Sequence, residues 1–125
     1  MDGLRTIIAF LLLSTTPTPA PAGENLLRTF ATCAGRFSAQ MEHEWLLSDP
    51  AADRTGIERR NMIALLETIA APAALPTALN IRVEAKHAHA VLLTRASFGS
   101  DRRDAAWAAH RAEANIAACR ALLLS

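Results

Sequence analysis

The sequence predicts an all-α protein, a small up-down-up-down four-helix bundle with one disulfide, preceded by a signal peptide. Three observations predict it. A short apolar run, Ile7 to Leu13, leads into a small-residue stretch that ends Ala20-Pro21-Ala22. Beyond it, apolar residues recur at steps of three and four in segments separated by proline or glycine. Cys33 and Cys119 sit near opposite ends of that helical region, each on the apolar stripe of its segment.

The N-terminal order is that of a secretory signal: Arg5, an apolar centre, then Ala20 and Ala22 as an A-x-A cleavage site. The run falls short of the roughly 20 consecutive apolar residues that a membrane span requires. Pro17, Pro19 and Pro21 also oppose its extension as a helix. Cleavage after Ala22 divides the chain into 1–22, the signal peptide, and 23–125, the helical domain of about 100 residues, which is the size of one domain. Retention of residues 1–22 as an anchor is the competing expectation. After cleavage no stable membrane span remains, and the expected localisation is periplasmic or secreted. An oxidising compartment in turn makes the two cysteines readable as a Cys33–Cys119 disulfide. A formal net charge of +1 offers no electrostatic case for nucleic acid or an anionic membrane surface, both of which select a basic patch.

The first helical segment carries Leu26, Phe30, Cys33, Phe37 and Met41 on one stripe, with Trp45 continuing it, and Ser48-Asp49-Pro50 ends it. The second has two candidate starts. Asp49 can cap with Pro50 in the first turn, or Thr55 and Glu58 can form a capping box. Its stripe is Met62, Leu65, Leu66 and Ile69, closed by Ala71-Pro72. The third helix is expected over 77–98, stopped by Gly99, and the fourth after a Ser100 cap, with Asp101 and Asp104 in the first turn where the helix dipole favours anions. Its stripe is Ala105, Ala108, Ala112, Ile116, Cys119 and Leu123. In an up-down-up-down bundle the first and fourth helices are antiparallel neighbours. Setting Cys33 opposite Cys119 and stepping outward at equal rise pairs Phe37 with Ile116, Met41 with Ala112, and Leu26 or Phe30 with Leu122 and Leu123.

Chemistry-bearing residues are sparse. His87 and His89 point about 200° apart on a helix, so the pair cannot chelate. Glu84 and His87 have the Glu-x-x-His spacing of di-iron bundles, and His110 with Glu113 gives only its reverse. No C-x-x-C-H haem attachment sequence occurs. G-x-S-x-G and H-E-x-x-H are likewise lacking, as is a Gly-rich phosphate loop. Glu44 stands on the edge of the core stripe, and an arginine such as Arg54, Arg102 or Arg111 is its expected partner. No cofactor is implied.

The third helix presents two apolar faces, Leu79, Val83, Ala90 and Leu93 on one and Ile81, Ala85, Ala88, Leu92 and Ala96 on the other. A helix packed on one side needs one stripe. Either this helix is buried more deeply than its neighbours, or the second face is a surface for a protein partner or homodimer, formed by Ile81, Ala85, Ala88 and Leu92 and extended by Leu46 and Trp107. The functional expectation is a non-enzymatic protein-interaction module of the periplasm or cell envelope. The alternative is a metal- or haem-handling bundle using His43, His87, His110 and Glu84, with His89 and Met41 as further candidates. An enzyme working from Glu42, His43 and Glu44 ranks last and would need a pocket around Glu44.

Overall fold

A computed structural model describes residues 16–18 and 22–125. The expected signal run and its cleavage site lie outside the described residues, apart from Thr16-Pro17-Thr18, which has no regular structure, and Ala22, which opens the first helix. Four helices follow: α1 Ala22–Leu46, α2 Ala51–Ile69, α3 Leu75–Phe98 and α4 Arg102–Leu123, with a 3-10 turn at Pro72–Ala74 before α3. No strand occurs among the described residues. Cys33 and Cys119 form a disulfide with their Cα atoms 5.5 Å apart.

The helix ends show which local signals decide. α1 stops in a Schellman motif: the Ser48 amide donates to the Trp45 carbonyl and the Asp49 amide to the Glu44 carbonyl. Ser48 takes the left-handed conformation there, with φ 55°. α2 starts at Pro50, where Asp49 Oδ1 accepts from the Ala51 amide at 2.9 Å. The expected Thr55–Glu58 box is not made, because α2 is already helical at that point. Thr55 is buried with its hydroxyl unpartnered, and Glu58 turns to Arg54 and Arg120. α4 is capped by Asp101 rather than Ser100. Its carboxylate accepts from the Arg103 and Asp104 amides at 2.9 and 3.1 Å.

The helices alternate in direction, as the specific contacts establish. Met41 Sδ lies near Gly56, the Arg59 guanidinium donates to Ser38 Oγ at 2.8 Å, and Leu27 and Ala31 pack with Leu66, so α1 and α2 are antiparallel. α3 runs parallel to α1: Gly35 meets Arg82 and Lys86, Gln40 meets His89, and His43 meets Ser97. α4 returns antiparallel to α3, with Leu93 beside Ala112 and Arg95 paired to Asp104.

The central helix is α1, not α3. It packs extensively on both α2 and α3, while α4 rests chiefly on α3. The physical reason is the run of small residues Ala31, Ala34, Gly35, Ser38 and Ala39, all buried. At Gly35 the two backbones approach so closely that an added Cβ would stand 2.3 Å from the Arg82 carbonyl oxygen. The register between α1 and α4 agrees in part with the expectation. Phe37 and Ile116 share the core around the disulfide, and Phe30, Leu122 and Leu123 pack on it. Met41 instead faces α2, Ala39 takes its expected place beside Ala112, and Leu26 is exposed. Trp45 is exposed as well, because the stripe drifts off the core in the last turn of α1.

Candidate functional site

The disulfide ties α4 to α1 at the level of the third turn of α1. Toward the other end α1, α3 and α4 line a cleft of about 750 Å³. Gln40, His43, Glu44 and Leu47 of α1 form one wall, His110, Ala112, Glu113 and Arg120 of α4 the other, and Leu93, Ala96 and Ser97 of α3 contribute the rest.

A buried polar chain leads to this cleft. His89 Nε2 donates to Gln40 Oε1 at 3.0 Å, and Gln40 Nε2 donates to Glu44 Oε1 at 2.9 Å. The directions follow from chemistry. A carboxylate can only accept, which turns the Gln40 amide nitrogen toward Glu44 and its carbonyl toward His89. Gln40 and Glu44 are four apart on α1 and so share a face. His89 is 1% exposed and Glu44 7%. Glu44 Oε2 and His89 Nδ1 have no partner among the described residues.

The His89 imidazole is pushed down to about 4, mainly by burial, with the positive charges of Arg36 and His43 adding to it. A neutral ring with its proton on Nε2 fits both the single bond to Gln40 and the bare Nδ1. The consequence for stability has a definite sign. Between the unfolded value near 6.5 and the folded value near 4, the unfolded chain binds a proton that the folded chain refuses, so stability falls as pH falls through that window. The loss should approach about 3 kcal/mol by pH 4, on the order of 1.4 kcal/mol per pH unit. His89→Leu should flatten that slope in urea midpoints taken from pH 7 to pH 4. A slope unchanged by the substitution would contradict a neutral buried His89.

Other polar groups around the cleft are fixed. His43 Nε2 lies 2.8 Å from Ser97 Oγ, and its ring meets the edge of Phe98 at 6.0 Å. Arg120 Nε donates to both oxygens of Glu58, at 2.9 and 3.0 Å. Arg95 pairs with Asp104, which holds that carboxyl below the usual carboxylate range, and its guanidinium lies 5.2 Å from the centroid of the Trp107 ring.

The residues singled out from sequence scatter. Ile81 packs on the cluster of Leu27, Ala31, Leu66 and Ala78; Leu92 packs on Ala39, Leu93 and Ala112; Ala85 lies beside Gly35. These three are half-buried because they flank the line along which α3 rests on α1, so they do not form a free stripe. Ala88 is exposed, and the open face of α3 is Leu75, Leu79 and Val83. Leu46 and Trp107 are both exposed. Of the metal candidates, Glu84 and His87 are exposed on α3, while His43 and His110 line the cleft. Among the described residues no group of three or more His, Cys, Asp or Glu side chains is placed to hold a metal ion. Glu44 pairs with Gln40 rather than an arginine, and Arg54 goes to Glu58. Glu42 is taken by Lys86, at 2.6 Å.

Comparison with protein-family models, curated proteins and solved structures finds no match for this chain. Its functional reading therefore rests on its own geometry.

Proposed function

We propose that this chain is a small exported helical protein of the periplasm or cell envelope that works by holding a protein partner. The pocket around Glu44 that an enzyme would need is present, but Glu42 is paired with Lys86, His43 with Ser97 and Glu44 with Gln40. One observation carries the reading. Trp45, Leu46, Phe98 and Trp107 are 56% to 69% exposed, and all four sit at the end of the bundle where α1 and α3 finish and α4 begins. Large aromatics normally dominate cores, and tryptophan left outside is enriched at protein interfaces. Arg95, fixed by Asp104 and lying over Trp107, gives that side of the surface a preset shape. The disulfide supports an oxidising compartment. No helix among the described residues is long and apolar enough to cross a membrane.

The double substitution Leu46→Glu with Trp107→Ala tests the reading. Both positions are exposed, so the denaturation midpoint should correspond to a change within about 0.5 kcal/mol per site. Co-purification with the partner from the native envelope fraction should be lost, because an unpaired carboxylate would be buried at the contact. Intact mass of the same material should begin at Gly23 with both thiols oxidised. Partner recovery equal to that of the unsubstituted protein would overturn the proposal.

A further inference from the structure

We propose that the cleft between α1, α3 and α4 is a binding site for an organic cation, with an alkylammonium or alkylguanidinium head seated against Glu44 and its apolar stem lying along Leu93, Ala112 and Ile116. The cleft lies at the same end of the bundle as the exposed aromatics, but none of Trp45, Leu46, Phe98 and Trp107 lines it, and seating a cation there needs no protein partner.

The size comes first. A cleft of about 750 Å³ falls within the roughly 300 to 1,000 Å³ of small-molecule sites, which are mainly apolar with a few placed polar groups. The polar group here is Glu44. Its Oε1 is held by Gln40, Oε2 is buried with no partner among the described residues, and the side chain belongs to a residue that lines the cleft. A carboxylate oxygen only accepts, so its complement has to be a donor, and a buried acceptor without one is costly. The surrounding charge selects a cationic donor. Asp49 and Glu113 also line the cleft, and its single arginine, Arg120, is committed to Glu58. Gln40, Ser97 and two imidazoles, His43 and His110, supply the rest of the polar lining. A bare metal ion is a poor fit, since among the described residues no three His, Cys, Asp or Glu side chains are placed to hold one. An ammonium or guanidinium brings its own N–H donors, and the alanine-rich α4 wall suits a hydrocarbon stem.

Titration of the full mature chain with hexylammonium, and with hexan-1-ol as a neutral match, tests this by amide chemical shifts. Hexylammonium should move the Glu44, Ala112 and Glu113 resonances and bind at least about tenfold more tightly than the alcohol, as a charge-assisted bond requires. Glu44→Gln keeps an acceptor for Gln40 but removes the charge. It should erase that preference and leave the alcohol unchanged. Where Glu44→Gln fails to fold, Glu113→Gln at the exposed rim serves instead and should weaken hexylammonium binding several-fold. A short peptide with one lysine among leucines separates the two sources of such a head: tighter binding than hexylammonium assigns the site to a polypeptide side chain, weaker binding to a free amine. Equal binding of amine and alcohol, or a preference that survives the charge-removing substitution, would overturn the proposal.

Discussion

Replacing Cys33 and Cys119 together by alanine is expected to lower the unfolding free energy by about 2 to 4 kcal/mol. The two residues are 86 positions apart, and for a loop of that length the chain-entropy model gives about 4 to 5 kcal/mol, with measured values usually smaller. A domain of this size holds only about 5 to 15 kcal/mol in total, so the loss should also lower the melting temperature by at least about 10 °C. The architecture sharpens the expectation. α4 packs chiefly on α3 and meets α1 at the disulfide level, so the covalent bond is the principal tie between the last helix and the central one. Amide exchange should therefore accelerate first beyond Ile116. Alanine is the right replacement because both positions are buried and serine would leave a hydroxyl without a partner. An unchanged melting temperature would show that packing on α3 and α2 holds α4 without the covalent bond.

Gly35→Ala should destabilise the protein by about 1 to 3 kcal/mol, against the usual sign for that substitution in a helix. Glycine inside a helix ordinarily costs about 0.5 to 1 kcal/mol relative to alanine. Here the new methyl would stand 2.3 Å from the Arg82 carbonyl oxygen and 2.9 Å from the Lys86 nitrogen. Both are backbone atoms, so the clash is relieved only by moving α3 away from α1. Gly56 is the matched control. It too is buried in a helix, but an added Cβ would meet the Met41 sulfur at 3.4 Å and the Arg60 side chain at 3.8 Å, both of which can shift. Gly56→Ala should be stabilising by up to about 1 kcal/mol. Urea midpoints of the two variants should move in opposite directions, and equal shifts would contradict the close α1–α3 contact.

The helices and the disulfide were legible because their signals are local or strongly constrained. Apolar residues at steps of three and four, bounded by Pro50, Pro72 and Gly99, mark the helices, and the two cysteines admit one pairing. The identity of the central helix was not legible. Both α1 and α3 are rich in small residues, and an alanine suits a buried or an exposed face equally well. The run from Ala31 to Ala39 was the available sign, since closely spaced Ala, Gly and Ser permit backbones to approach. Apolar residues alone do not mark the contact line of α3, Ala78, Ala85, His89 and Leu93, because alanine favours neither a buried nor an exposed face and His89 is polar. Its burial is tolerated only through Gln40, which sits on another helix, 49 residues away. Glu44 was recognisable as a carboxylate at the core edge, yet its partner is a neutral amide one turn earlier on α1, where charge pairing pointed to arginine. The cleft itself depends on how α1, α3 and α4 come together, a relation between helices with no counterpart in the periodicity of any one of them.

The central claim is that the aromatic end of the bundle touches a protein in the envelope. Photo-cross-linking in intact cells tests it most directly, using the full chain with a benzophenone amino acid in place of Trp107 or, as a control, in place of the exposed Glu67 on α2. The account predicts one adduct of discrete mass from position 107, none from position 67, and loss of the first when Leu46→Glu is added. No adduct at position 107, or the same diffuse products from both positions, would contradict it.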